Sequence, residues 1–228
     1  MKKLIYRIVQ RTCGRDTGSI LNGGGGNDIL VGGAGNDDLD GSWGDDILQG
    51  GAGSDTLKGG YGNDTFLYNR GDGADTIVDT PAGWWGAVES NTVQFGAGII
   101  AADIAITYDS TTNHVVLVLG NGDNLIIGSP NEQYIKGDKL AIQQLRFTDG
   151  TTLILDDYIQ QYGLIQNGTD GNDTLQGSDS FYYADTLNGG AGDDVLSGGS
   201  GKDTYLFGLG NGKIHAANDA MFEMRRMG

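Results

Sequence analysis

Five consecutive nine-residue segments decide the fold of this chain. They read GGGGNDILV (23–31), GGAGNDDLD (32–40), GSWGDDILQ (41–49), GGAGSDTLK (50–58) and GGYGNDTFL (59–67). In all five, position four is Gly, position six is Asp and position eight is a large hydrophobic residue. At the Gly and Asp frequencies of this chain, ten such matches arise by chance on the order of 10⁻⁹ to 10⁻⁸. Self-similarity at a fixed short period indicates a repeat architecture.

A second block of the same repeat lies towards the C-terminus. Its segments are GTDGNDTLQ (168–176), GSDSFYYADTLN (177–188), GGAGDDVLS (189–197) and GGSGKDTYL (198–206). The three extra residues 180–182 are expected to bulge one turn and to weaken any site there. The position-six aspartates of the two blocks are Asp28, Asp37, Asp46, Asp55, Asp64, Asp173, Asp185, Asp194 and Asp203.

Each nonapeptide divides into a turn and a short strand. Gly permits positive φ and close approach of the backbone, and Asn or Asp at position five tolerates the left-handed region. Positions seven to nine then form a three-residue strand whose middle side chain points inward. Two nonapeptides make one coil of a right-handed parallel roll, so turns 18 residues apart stack. We therefore predict an all-β protein, with two parallel β-roll blocks flanking a small β-rich domain.

Composition narrows the classes of function. The 228 residues include 42 Gly and carry a net charge of −16, and Asp supplies nearly all of the acidic residues. Such an Asp excess suggests turns or metal ligation, because Glu suits helices better. The charge argues against nucleic-acid binding, and no apolar run approaches the length of a membrane span. The single Cys13 excludes an intramolecular disulfide and a Cys-based zinc site.

The stacked turns predict a cation. Neighbouring parallel strands lie about 4.8 Å apart, and two carboxylates at about 5 Å repel by about 3 kcal/mol at an effective dielectric of 20. One large hydrophobic residue per nonapeptide gives a thin core, so the chain should not fold unaided. Several Ca²⁺ ions, each taking six to eight oxygen ligands, solve both problems, whereas Mg²⁺ needs tighter geometry and zinc prefers nitrogen or sulfur. The alternative is a set of glycine-rich turns with solvated aspartates.

These nonapeptides resemble the repeats-in-toxin (RTX) family, also called haemolysin-type calcium-binding repeats. The resemblance implies that the position-six Asp and turn carbonyls bind Ca²⁺ between turns two repeats apart. It pairs Asp28 with Asp46, Asp46 with Asp64, Asp37 with Asp55, Asp173 with Asp194, and Asp185 with Asp203. The implied carbonyl ligands are those of Gly24, Gly26, Gly33, Gly35, Gly44, Gly51, Gly53, Gly60, Gly62, Gly190, Gly192, Gly199 and Gly201.

The rest of the chain is expected to support the repeats. We predict a lead (1–13), a first roll (14–79), a β-rich domain (80–166), a second roll (167–210) and an irregular tail (211–228). Residues 68–79 resemble the tail that closes such blocks, and Asp72 and Asp75 are weaker candidate ligands.

The middle region resembles the calcium-binding-protein-related domain that often accompanies these repeats in large bacterial secreted proteins. Within it we predict strands at 92–95, 103–108, 114–119 and 124–127, a hairpin over 144–147 and 152–155, and a helix at 156–162.

The sequence therefore predicts a calcium-binding, calcium-dependent folding module of a secreted, extracellular bacterial protein. The type I route is expected for its export, although the chain lacks a clear secretion signal and ends as a truncated or frame-shifted product would. No HExxH, GxSxG or P-loop motif occurs, so no catalysis is expected. Two alternatives are a fragment of a secreted lipase, protease or sugar-modifying enzyme, and a calcium-rigidified adhesin or matrix protein. Trp84–Trp85 could serve the latter as a platform for a cell-surface glycan, but a packed linker pair is the stronger interpretation.

Overall fold

The architecture is given by a computed structural model. It describes residues 6–10, 18–79, 89–109, 112, 114–128, 140–177, 184–207, 211–216 and 222–226. The chain divides into two compact units, described in turn below. Unit 1 comprises Met1–Ala105, Val116–Glu132 and Lys139–Leu155, and unit 2 comprises Ile106–Val115, Gln133–Asp138 and Asp156–Gly228.

The secondary structure is almost entirely β. The strands up to residue 154 are β1 (Tyr6–Gln10), β2 (Ile20–Gly25), β3 (Asn27–Ala34), β4 (Asp38–Trp43), β5 (Ile47–Ala52), β6 (Thr56–Tyr61), β7 (Thr65–Tyr68), β8 (Ala74–Val78), β9 (Thr92–Phe95), β10 (Ala105–Asp109), β11 (His114–Gly120), β12 (Asp123–Gly128), β13 (Gln144–Arg146) and β14 (Thr152–Ile154). The later elements are helix α1 (Leu155–Tyr162), β15 (Ile165–Asn167), β16 (Thr174–Gln176), β17 (Thr186–Asn188), β18 (Gly192–Ser197), β19 (Asp203–Phe207), β20 (Asn211–Ala216) and β21 (Phe222–Arg226). A 3-10 turn, Ala101–Asp103, precedes β10.

In unit 1, alternate repeats build two parallel ladders of strands. One ladder runs β1–β3–β5–β7–β9–β13, and the other runs β2–β4–β6–β8–β12. Within the repeats, residues that pair in neighbouring strands are 18 positions apart in the sequence. Ile29, for example, pairs with Ile47, and Ile47 pairs with Thr65. The predicted all-β fold with parallel rolls of nonapeptides is confirmed.

The position-eight side chains form the core of unit 1. Leu30, Leu39, Leu48, Leu57 and Phe66 are each at most 1% exposed. Since the neighbours on either side along each strand are only partly buried or polar, one side chain per nonapeptide packs inward, as the period-two alternation of a strand requires.

The middle region extends the same ladders. β9 pairs in parallel with β7, β12 with β8, and β13 with β9. The predicted strands at 92–95, 114–119 and 124–127, the hairpin formed by β13 and β14, and the helix at 156–162 are confirmed. The strand predicted at 103–108 begins at Ala105 instead, because the preceding residues form the 3-10 turn.

Unit 2 repeats the plan on a smaller scale. Its parallel ladders are β10–β15–β17–β19–β21 and β16–β18–β20. Leu187, Leu196 and Tyr205 form its buried core, with Leu175 packed against them. No helix among the described residues is long and apolar enough to span a membrane.

The irregular tail predicted over residues 211–228 is wrong for most of its length. β20 pairs in parallel with β18, and β21 with β19, over Asp203–Phe207. The edges of β18 and β19 each offer a row of backbone N–H and C=O groups, and any extended segment that reaches such an edge can pair with it. The sequence signal for these strands is weak because neither carries the nonapeptide pattern.

Candidate metal centre

The position-six aspartates lie inside the rolls. In the first block Asp28, Asp37, Asp46, Asp55 and Asp64 are at most 3% exposed. In the second block Asp185, Asp194 and Asp203 are fully buried, and Asp173 is half-buried. A buried carboxylate is costly unless its oxygens are satisfied or its charge is balanced, so the partners of each oxygen decide what the site can do.

One oxygen of most of these carboxylates accepts a hydrogen bond from the backbone of the preceding coil. The backbone N–H of Asp28 donates to Oδ1 of Asp46 at 2.7 Å, and that of Asp46 donates to Oδ1 of Asp64 at 2.8 Å. On the other side of the roll, the N–H of Asp37 donates to Oδ1 of Asp55 at 2.8 Å. The aspartates that the sequence paired therefore stack 18 residues apart.

The second oxygen of most of these carboxylates is buried and receives no hydrogen bond from the described residues. Among the described residues, no hydrogen-bond donor reaches Oδ2 of a set of six position-six aspartates. The six are Asp28, Asp37, Asp46, Asp55, Asp64 and Asp194. Leaving a charged oxygen buried and unsatisfied costs more than any single hydrogen bond returns, so these atoms call for a cation.

A backbone carbonyl accompanies these oxygens at the first glycine of the repeat. A Cβ placed on Gly32 would come within 3 Å of both Oδ2 of Asp37 and the carbonyl oxygen of Gly50, and the same holds at Gly41 for Asp46 and Gly59. A carboxylate oxygen and a carbonyl oxygen from the stacked coil thus converge where only Gly leaves room. Hard oxygen donors of this kind are the ligands of Ca²⁺, so the residues present fit that ion.

The glycines at position one, such as Gly50 and Gly59, are not among the calcium ligands predicted from the sequence. The predicted carbonyl ligands are the glycines at positions two and four. All thirteen of those named glycines have φ between +84° and +151°, a region that residues with a side chain rarely adopt. Their conformation thus explains why the repeat needs Gly at these positions, while their part in binding an ion stays a prediction.

Side chains alone do not make a metal site here. Across the described ranges, no group of three or more His, Cys, Asp or Glu side chains is placed to hold an ion. At Gly32 and at Gly41, the oxygens that lie close together are instead one carboxylate oxygen of the same coil and one carbonyl oxygen of the stacked coil. Calcium sites commonly draw on backbone carbonyls as well as carboxylates, so such a site does not require a cluster of acidic side chains.

Comparison with known proteins agrees with this geometry. The RTX calcium-binding nonapeptide repeat matches four segments of the chain, residues 14–48, 40–77, 167–181 and 179–214. The chain carries RTX repeats. RTX nonapeptide repeats bind Ca²⁺ ions, so calcium binding is the role of both blocks.

Several solved structures are similar to this chain, two of which are described here, and no curated protein matches it significantly. The AlgE6R3 subunit of the mannuronan C5-epimerase from Azotobacter vinelandii is 29% identical, over 50% of this chain and 73% of that chain, with a TM-score of 0.35. The extracellular lipase LipA from Serratia marcescens is 21% identical, over 97% of this chain and 35% of that chain, with a TM-score of 0.36. This chain therefore spans about a third of the lipase.

Burial alters the acidity of the aspartates of the first RTX block. Desolvation raises the pKa of Asp46 and of Asp55 from 3.8 to about 6 and that of Asp64 to about 7, against the opposing effect of the backbone hydrogen bond that each accepts. Neighbouring carboxylates, such as Asp28 beside Asp46, raise it further. Near neutral pH these groups therefore take up a proton readily, unless a cation binds them instead.

Asp28, Asp46 and Asp64 form a hydrogen-bonded column, and this column continues beyond the repeats through residues whose side chains carry no charge. The backbone N–H of Asp64 donates to Oδ1 of Asn91 at 2.8 Å, and that of Asn91 donates to Oε1 of Gln143 at 2.6 Å. Asn91 is fully buried. Neutral amides thus replace the carboxylate while keeping its hydrogen bond.

The second column of the first block gains one aspartate. The backbone N–H of Asp55 donates to Oδ1 of Asp75 at 2.9 Å across 20 residues, and burial raises the pKa of Asp75 to about 7. Asp75 therefore occupies the position-six place of one more, degenerate repeat. In the next coil, Leu125 pairs with Asp75 in the strand ladder. An apolar side chain therefore ends this column of aspartates.

The second RTX block departs from this scheme at its first repeat. Oδ2 of Asp173 accepts hydrogen bonds from the backbone N–H of Thr169 at 2.7 Å and from its hydroxyl at 3.0 Å. Thr169 occupies position two, where most repeats have Gly. Asp185 still stacks on Asp203, whose Oδ1 accepts the Asp185 N–H at 2.8 Å. The insertion 180–182 lies outside the described residues.

One aromatic pair of the first roll is exposed to solvent. Trp43 and Tyr61, both at position three, stack with ring centroids 4.3 Å apart, and Trp43 is 61% exposed. They line a cavity of about 370 Å³ together with Lys58 and Asp79. Trp84–Trp85, the pair predicted from the sequence as a possible glycan platform, lies outside the described part of the chain.

Proposed function

We propose that this chain is a calcium-dependent folding module, without catalytic activity of its own, from a secreted bacterial protein. The observation that carries the proposal is the set of buried Oδ2 atoms, such as that of Asp46, which lack a hydrogen-bond donor among the described residues and lie beside a glycine carbonyl. Calcium supplies the charge and the coordination that these oxygens lack.

In this proposal the position-six aspartates and the turn glycines are the ligands. Asp46 contributes to two ions, one shared with Asp28 and one with Asp64, whereas Asp37 and Asp55 share an ion on the other side of the roll. In the second block Asp173 pairs with Asp194, and Asp185 with Asp203. The hydrogen bonds between stacked turns support these pairings, because they hold consecutive carboxylates in one column.

Folding is coupled to binding in this account. The roll buries one large hydrophobic side chain per nonapeptide together with one carboxylate, so metal-free folding gains little and leaves charges unbalanced. A ligand that binds only the folded state contributes its binding free energy to folding. Sites of the extracellular kind bind Ca²⁺ with constants on the order of 10⁻⁴ to 10⁻³ M, and such sites would stay empty in the cytosol.

Export and location follow from this coupling. A chain that remains unfolded at cytosolic calcium concentrations is suited to export in an unfolded form, which is why we propose a type I route and an extracellular location. The division into lead, two rolls and intervening domain belongs to the same proposal.

Hydrogen–deuterium exchange in calcium and in chelator tests the proposed function. Calcium should protect the amides of β2–β8 and β17–β19 by at least tenfold, because those strands carry the stacked turns. Asp46→Asn should remove that protection at a calcium concentration that fully protects the wild type. Equal protection of these strands in chelator would contradict calcium-coupled folding.

A further inference from the structure

The last turn of the first block differs from the earlier ones in what faces its first glycine. At Gly41 the two converging oxygens are Oδ2 of Asp46 and the carbonyl oxygen of Gly59. At Gly59 they are Oδ2 of Asp64 and Oδ2 of Asp79, the latter 2.8 Å from the Cβ position. A second carboxylate has therefore taken the place of the carbonyl that a further repeat would have supplied.

Asp79 is fixed in this position by residues outside the repeats. Its Oδ1 accepts the backbone N–H of Gly60 at 2.9 Å, and its Oδ2 accepts the side-chain amide of Asn91 at 2.7 Å. Asn91 also donates to the carbonyl of Ala141 at 3.1 Å. Asp79 is 1% exposed and Asn91 is fully buried, so the carboxylate is held towards Asp64 and away from solvent.

A third acid lies at the same end of the roll. Oε1 of Glu89 accepts the backbone N–H of Gly62 at 3.3 Å, and the residue is 6% exposed. Neither Oε2 of Glu89 nor Oδ2 of Asp64 has a hydrogen-bond partner among the described residues. Two buried carboxylates that face one point, with an unsatisfied oxygen on one of them, are oxygen donors of the kind that a hard divalent cation takes.

We propose that Asp64 and Asp79 hold a further calcium ion that closes the first roll. This site is not built from nonapeptides alone, since Asp79 lies beyond the matched repeat segment that ends at residue 77. The inference rests on the proposed function, because it extends the same column of ions by one. Asn91 is a positioning residue of the site: it orients Asp79 and keeps the column hydrogen-bonded without adding charge.

Asp79 could instead be purely structural, as an acceptor for Gly60 and Asn91. The two interpretations differ in the number of ions bound. A structural acceptor is needed with and without calcium, whereas a ligand carboxylate that faces Asp64 stabilises only the loaded fold. Asp79→Asn keeps an oxygen for Gly60 and removes the charge, but its NH₂ group cannot accept from Asn91, so the count of bound ions separates the two interpretations.

The experiment counts bound calcium by native mass spectrometry and follows thermal unfolding of the full chain at increasing calcium concentrations. Asp79→Asn should bind one ion fewer than the wild type and show a smaller rise in melting temperature with calcium. Asp79→Glu should recover the missing ion. The control Asp38→Asn, which removes a half-exposed carboxylate paired with Lys58 at 2.9 Å, should match the wild type throughout.

The outcomes distinguish this inference from the function on which it rests. An unchanged ion count in Asp79→Asn, with the wild type still binding several ions, would overturn the terminal site alone. A lower melting temperature of Asp79→Asn in saturating calcium, at an unchanged ion count, would overturn the ligand role and assign Asp79 a structural one. A wild-type chain that binds no calcium would overturn the proposed function as well.

Discussion

The backbone N–H of Asp46 donates to Oδ1 of Asp64 at 2.8 Å, while Oδ2 of Asp64 is buried without a hydrogen-bond partner among the described residues. One carboxylate therefore has two separable tasks. Oδ1 connects a coil to the next coil, and Oδ2 is left for a cation. Substitutions that keep the first oxygen and change the second can test binding apart from folding.

Asp55→Asn is expected to weaken calcium binding without removing the connection between coils. The amide retains an acceptor for the N–H of Asp37 but loses the charge that the ion needs. We expect the calcium concentration at half-saturation to rise about tenfold, which corresponds to about 1.4 kcal/mol. Isothermal titration calorimetry measures the change. Asp38→Asn is the control, because its exposed ion pair contributes at most about 1 kcal/mol; equal shifts in the two variants would contradict the assignment.

Acid is expected to stabilise the metal-free roll and to weaken calcium binding. The folded-state pKa values of Asp55 and Asp64, about 6 and about 7, lie above the ordinary value of 3.8. The folded state therefore binds protons more tightly than the unfolded chain, so its stability is highest below about pH 4 and is lost as the pH rises through about 6 to 7. Protons compete with calcium over the same range.

Two measurements check this pH dependence. Urea unfolding in chelator should show a stability that falls from about pH 4 to pH 7, and calcium titrations should show a half-saturation concentration about tenfold higher at pH 5.5 than at pH 7.5. Metal-free stability that rises between about pH 4 and pH 7 would contradict the burial of these carboxylates in the unloaded roll.

Gly51→Ala is expected to destabilise the loaded roll by about 2 to 4 kcal/mol. Gly51 has φ +98°, and a Cβ there would clash with the carbonyl oxygen of Gly33. Gly25→Ala is the matched control: Gly25 is exposed, and a Cβ there meets nothing within 4 Å. Chemical unfolding in saturating calcium should place the control within about 0.5 kcal/mol of the wild type. Similar losses in both variants would show that the close stacking of turns is not the cause.

Leu48→Ala is expected to cost about 2 to 5 kcal/mol, because Leu48 is fully buried in the thin core and its removal leaves a cavity. Ile20, 81% exposed, provides the comparison, and Ile20→Ala should change the free energy of unfolding by no more than about 0.5 kcal/mol. Thermal unfolding of the calcium-loaded proteins measures both. A small effect at Leu48 would mean that position eight does not form the core.

The regular part of the fold could be predicted from the sequence because its information is local. Gly at position four, Asp at six and a hydrophobic residue at eight determine turn, stacked carboxylate and core within nine residues, and the buried Leu48 and Asp46 follow that rule. Ser42 shows how strong the turn is, since it keeps φ +75° where its neighbours have Gly. The identity of the metal ligands stays a prediction.

The irregular part could not be predicted because insertions break the period. Asp75 enters its column only after two extra residues, and Asn91 enters its column 27 residues after Asp64 instead of 18. Asp79 belongs to no repeat, and its place beside Asp64 depends on Asn91. Strands β20 and β21 likewise depend on the edges of β18 and β19 rather than on a pattern of their own.

The most direct test of the account is a far-ultraviolet circular dichroism titration of the full chain with calcium, starting from chelator, with magnesium as the control cation. We predict a cooperative gain of β signal in calcium and none in magnesium, because the sites offer oxygens of the kind and number that suit the larger ion. A chain that shows its full β signal in chelator at neutral pH would contradict calcium-coupled folding and reduce the ions to an accessory role.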